Sequence, residues 1–163
     1  MPEVVCDTSA LQYLYQLDLL DLLPSLATEV FVPPAVLEEL AVGRALGFRV
    51  PAVESLRWVT IRQPVNRPAI PLIHDLGPGE TEVLWLTLES PGAVAVLDDA
   101  TARSAAGLLE LPFTGTLGLL LDAKRAGLIA TVRPLLDALE ALRFRMSPTT
   151  RSAVMRLAGE VES

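Results

Sequence analysis

Short apolar runs alternate with stretches of helical periodicity along this chain. Glu3-Val4-Val5-Cys6 has the length and β-branched character of a buried strand. Leu11, Leu14, Tyr15 and Leu19 then recur at helical spacing, with Thr8 or Ser9 as the expected cap and Pro24 as the expected stop. EVFVP, from Glu29, reads as a second strand, and Pro34 suits the first turn of a helix carrying AVLEEL. LRWVTIR, from Leu56, reads as a third strand. Residues 63–79 are rich in Pro and predict a loop or crossover, after which Gly79 opens the helix GETEVLWLTLE. GAVAVLDD, from Gly92, is an apolar run of strand length closed by two aspartates. Downstream come a helix over ATARSAAGLL, a short strand and turn over LPFTGT, and a helix that Thr116 caps and Gly127 closes. RPLLDALEAL predicts a further helix, RFRMS an edge strand, and Ser147-Pro148 the cap and first turn of a last helix.

Alternating strands and helices imply an α/β fold: a parallel sheet with helices on both faces. The 163 residues suit a single domain, and no repeat or linker breaks the pattern. No apolar run reaches the roughly 18 residues that span a bilayer, so no membrane association is expected. Pro2 and Glu3 replace the basic start of a signal peptide, and the single cysteine, Cys6, cannot form an internal disulfide. A cytoplasmic protein is the expectation, with Cys6 a small buried apolar residue.

The net charge of −7 argues against binding nucleic acid through bulk charge. Its distribution says more. Residues 1–42 hold seven acids and no Lys or Arg, whereas residues 141–159 hold Arg143, Arg145, Arg151 and Arg156 and no acid. Solvated helix faces explain this as well as an acidic site paired with a phosphate-facing or partner-facing strip.

In open parallel sheets ligands sit beyond the carboxyl ends of the strands. Asp7 ends one predicted strand and Asp98 another; if the two are neighbours, their carboxylates meet. Glu39 lies on the helix after the second strand, near its apolar stripe, where an unpaired carboxylate is costly. Glu80 opens a later helix, where the dipole favours an anion. Four acids can thus converge, and they repel unless protons or cations neutralise them. Oxygen ligands without His or Cys suit Mg²⁺ or Mn²⁺, ions that activate water and stabilise charge in phosphodiester cleavage. Each acid also has a plainer reading: a cap at Asp7, a first-turn dipole partner at Glu80, a turn residue at Asp98. His74, in a Pro/Gly-flanked loop without a nucleophile motif, reads as an ordinary loop residue, which leaves no case for a Ser-His-Asp triad.

Six short motifs follow in order: Asp7-Thr8-Ser9, PAVLEEL from Pro34, GETE from Gly79, AVLDD from Ala95, TGTLGLL from Thr114 and KRAGLI from Lys124. In these the chain resembles the PIN-domain family, in particular its VapC-like branch, over about residues 3–160. The resemblance implies a single PIN-like domain over 1–163, with a core at about 3–142 and a C-terminal strand and helix at about 143–160. It implies a metal-dependent ribonuclease, the toxin of a type II toxin–antitoxin pair. RNA is then the substrate, a small antitoxin protein the partner, and a homodimer a further assembly. The family's acids fall on Asp7, Glu39, Glu80 and Asp98, with Asp99 and Glu82 as further metal-ligand candidates and one or two Mg²⁺ or Mn²⁺ ions between them. Thr8 or Ser9 would support the first aspartate, and Glu38 would face solvent. Arg103 stands either as an ion-pair partner of the acids or as a phosphate contact, beside the four C-terminal arginines. The rival expectation is a PIN-like module that binds RNA or a partner and cuts nothing.

Overall fold

The computed structural model describes residues 2–70 and 75–160; His74 lies outside the described residues. Among the described residues five strands form one sheet: β1 (Val4–Cys6), β2 (Val30–Val32), β3 (Val59–Ile61), β4 (Val94–Val96) and β5 (Phe113–Thr114). Their order is β3-β2-β1-β4-β5 and every pairing is parallel. The helices are α1 (Thr8–Gln16), α2 (Leu22–Leu26), α3 (Pro34–Ala45), α4 (Pro78–Leu88), α5 (Ala100–Leu108), α6 (Thr116–Arg125), α7 (Arg133–Ala141) and α8 (Pro148–Leu157). Residues 1–116 and 117–163 form two compact units, and the sheet belongs wholly to the first.

Val4, Val5 and Cys6 are all fully buried. Successive strand residues point to opposite faces, so the centre of the sheet is covered on both, which is why these strands read as continuous apolar runs. In the first unit α4 packs on β1, β4 and α3, and α3 packs on α1. Most of α4 is buried, including Thr81 and Thr87, whose hydroxyls donate back to the carbonyls of Gly77 and Val83. A helix held on nearly every side fixes whatever stands at its first turn.

Several elements depart from the pattern-based reading. Asp7, not Thr8 or Ser9, is the residue before α1, and Thr8 and Ser9 lie in its first turn. The helix stops at Gln16, where Asp18 takes a left-handed conformation (φ 58°). Pro24 lies inside α2, third from its start, where no intrahelical N–H is required. Helix α4 begins at Pro78, one residue before Gly79. β4 ends at Val96, so the two aspartates follow the strand. Thr116 is the first residue of α6 rather than its cap. RFRMS forms no strand: Arg143 is left-handed (φ 66°), and the Phe144 N–H closes the end of α7 by donating to the Leu139 carbonyl.

In the second unit Ser147 caps α8 as its sequence predicts, accepting from the Thr150 amide. Glu160 pairs with Lys124 and accepts the Val132 and Arg133 amides at the start of α7.

Candidate functional site

The strand pairing decides where the acids go. β1 and β4 are neighbours with Cys6 opposite Val96, and the Asp7 amide extends the ladder by donating to the Val96 carbonyl at 3.2 Å. Asp7 and Asp98 therefore leave the same edge of the sheet. Asp7 is 4% exposed, and its carboxylate Oδ1 has no hydrogen-bond partner. Burial pushes the carboxyl up to about 8; the charges of Glu80, Glu39 and Asp98 push the same way, against the Thr8 amide. The acids at distant positions of the sequence thus act on one another.

Glu39 is held from two sides. The Thr8 hydroxyl donates to its Oε2 at 2.7 Å, and the Gly79 amide donates to its Oε1 at 3.1 Å. The carboxylate fills the space where a Cβ on Gly79 would stand, 2.8 Å from Cδ and Oε1 and closer still to Oε2. Only glycine lets α4 begin against this acid. Glu80, the next residue, accepts the Gly77 amide at 3.2 Å as a capping-box partner. Partial burial raises its pKa, with Asp99 and Glu39 adding to the effect and the Gly77 amide opposing it.

Asp98 is fixed from the chain ahead of it. Its Oδ1 accepts the Thr116 amide at 2.8 Å and its Oδ2 the Thr116 hydroxyl at 2.7 Å, with Ser9 donating at 3.4 Å. Thr116 is wholly buried. Gly115 gives the carboxylate room, since a Cβ there would come within 2.7 Å of Asp98 Oδ1 and 3.0 Å of an Arg103 nitrogen. So the Thr8 hydroxyl supports Glu39 and the Ser9 hydroxyl Asp98, where one or the other was expected to support Asp7; at Asp7 it is the Thr8 amide that acts. Tyr13 stands one helical turn beyond Ser9, and its hydroxyl pKa is raised by burial and by the Asp98 charge. Nothing in the sequence singles out Tyr13, and its place becomes visible only once β4 is set beside β1.

The remaining candidates separate. Glu82 is turned to the start of α3, where its Oε1 accepts the Ala35 amide at 2.8 Å. Asp99 caps α5 by accepting the Ala102 amide, yet its charge still reaches Glu80. Glu38 is exposed, as expected. Arg103 is exposed, with its guanidinium 5.1 Å from the centre of the Phe113 ring. Arg143, Arg145 and Arg156 are exposed in the second unit. Arg151 is committed there to Asp137 at 2.7 Å and Glu140 at 3.1 Å, tying α8 to α7.

A family model described as a PIN domain matches residues 3–160, nearly the whole chain. The chain belongs to the PIN-domain family. A search among curated proteins gives no match. PIN domains are in general nucleases that use divalent metal ions. In this PIN domain, no group of three His, Cys, Asp or Glu among the described residues closes around a single point. The donor chemistry nevertheless fits a hard cation: every candidate ligand is a carboxylate, and one buried oxygen of Asp7 is unpartnered. Mg²⁺ keeps several of its waters and binds through one or two carboxylates, which suits an open ring of acids better than a closed cage.

Proposed function

We propose that this PIN domain is a metal-dependent endoribonuclease and the toxin of a toxin–antitoxin pair. The observation that carries the catalytic part is the unpartnered, buried oxygen of Asp7 among the charges of Glu39, Glu80 and Asp98. A buried carboxylate oxygen without a donor is costly, and retaining one among like charges makes sense when a cation or proton fills the place. Asp7, Glu39, Glu80 and Asp98 would hold one or two Mg²⁺ or Mn²⁺ ions, with Asp99 at the rim. Such ions acidify water and stabilise the charge that builds on a phosphodiester under attack. The chain's own part is orientation: Thr8 and Gly79 fix the Glu39 carboxylate, Gly77 fixes Glu80, and Thr116 and Ser9 fix Asp98. The toxin role rests on the likeness of the six motifs to the VapC-like branch, and it brings with it an antitoxin whose basic segment covers the acids.

The test is direct. Purified chain is incubated with mixed RNAs and Mn²⁺, with and without chelator, beside Asp7→Asn. Cleavage that requires Mn²⁺ and is lost in the variant is the expected result. RNA that is bound but left intact under all conditions would establish a binding module instead.

A further inference from the structure

Resting on the nuclease reading, we infer that Arg103 grips a backbone phosphate of the substrate beside Asp98, held in place by the Phe113 ring. An arginine next to a cluster of acids has two uses: neutralising a carboxylate or meeting the anion that comes to the site. The geometry separates them. Both Asp98 oxygens are already supplied by Thr116, with Ser9 in support. Among the described residues no carboxylate lies within 4.0 Å of the Arg103 guanidinium as an ion-pair partner. The group instead lies over a ring that is itself 37% exposed. Its planar fork carries five N–H donors, a match for phosphate.

The side chain is also placed, not merely near. The Phe113 face orients the guanidinium from below. One of its nitrogens comes within 3.0 Å of the point that a Gly115 Cβ would occupy, and Asp98 Oδ1 lies 2.7 Å from that same point. Cation and acid thus flank the missing side chain of one glycine without forming an ion pair. Pairing shows which sheet edge this is: Leu97 follows Val96 as Gly115 follows Thr114, its partner in β5, and Asp7 stands one strand further on.

The experiment uses the full chain and an unstructured, fluorescein-labelled RNA oligonucleotide. Binding is measured in EDTA across a salt series, and cleavage in Mn²⁺ gives KM and kcat separately. Arg103→Ala is expected to weaken binding and raise KM by roughly ten- to a hundredfold, the usual loss for a hydrogen bond to a charged group. The slope of log affinity against log salt should fall by about 0.7, one phosphate contact on a single strand. Arg103→Lys should keep the slope but recover only part of the affinity, because it keeps the charge and loses the fork. A wild type that cuts RNA beside an Arg103→Ala variant with unchanged KM and salt slope would overturn the phosphate role and leave the nuclease reading standing. A wild type that neither binds nor cuts the oligonucleotide overturns both.

Discussion

Replacing Asp7 by Asn should make the ion-free protein more stable, and more so the higher the pH. An ordinary aspartate titrates near 3.8 in the unfolded chain, and burial with its acidic neighbours moves the folded group to about 8. Between these values the folded state holds a proton that the unfolded state has lost. Stability from this group is therefore complete below about pH 4, declines as pH rises, and is exhausted above about pH 8. Each pH unit within that window costs the wild type up to about 1.4 kcal/mol. Asparagine does not titrate, and acids common to both proteins largely cancel in the comparison. From pH 5 to pH 7 the variant should gain on the wild type by up to about 2.7 kcal/mol, or roughly 5–10 °C in melting temperature for a chain of this size. Relaxation and entering water lower the figure without changing its sign. Like-charge contact at about 4 Å and an effective dielectric near 20 is worth about 4 kcal/mol, so the slope reports burial and the acidic neighbours together. Melting curves in EDTA at half-unit pH steps measure it. A difference between the two proteins that stays flat from pH 5 to pH 7 would refute a buried, proton-holding Asp7. Mn²⁺ added at pH 7 should raise the wild-type transition by mass action and leave that of the variant nearly unmoved.

Four other changes test the surrounding scaffold. Gly79→Ala places a methyl group in the Glu39 carboxylate and should cost about 1–3 kcal/mol along with most cleavage, read by melting and by RNA assay. Thr116→Val removes one donor from Asp98 and should lower activity about 10- to 100-fold, while Thr116→Ser retains most of it. Glu82→Ala should destabilise by about 1–3 kcal/mol through the orphaned Ala35 amide yet leave Mn²⁺ affinity unchanged by calorimetry, as befits a carboxylate turned to α3. Arg151→Ala should leave the salt slope of RNA binding untouched, because that guanidinium is spent on Asp137 and Glu140.

What the sequence disclosed followed from local chemistry. Alternating apolar runs located all five strands, and the Ser147-Pro148 pair located the start of α8. Asp7 and Asp98 were legible because each follows a buried run, and their meeting depended only on β1 lying beside β4. Less visible were the groups that hold the acids. Thr8 and Ser9 read as caps because their spacing to Leu11 fits one, but tertiary partners claim both hydroxyls. Gly79 and Gly115 read as helix start and turn, while their tighter constraint is a carboxylate arriving from elsewhere in the chain. Glu82 stood as a second candidate beside Glu80, but two positions along a helix are close in sequence and far apart around its axis, and Glu82 is turned to α3. Pro24 looked like a stop because its tolerance in the first turn of a second short helix depends on where that helix begins.

The parallel pairing of β1 with β4 has a consequence for the birth of the protein. Val4 finds Val94, and Asp98, the partner of Asp7 in charge, is not locked until Thr116 is in place. At a synthesis rate of about 5–20 residues per second, a ribosome needs on the order of 5–20 s to go from the first acid to the threonine that completes the ring. Throughout that interval the nascent chain carries Asp7 without a fixed Asp98 beside it. A carboxylate cluster assembled from the two ends of a long stretch of chain is therefore incomplete while the chain is being made, and comes together only after its sheet has closed.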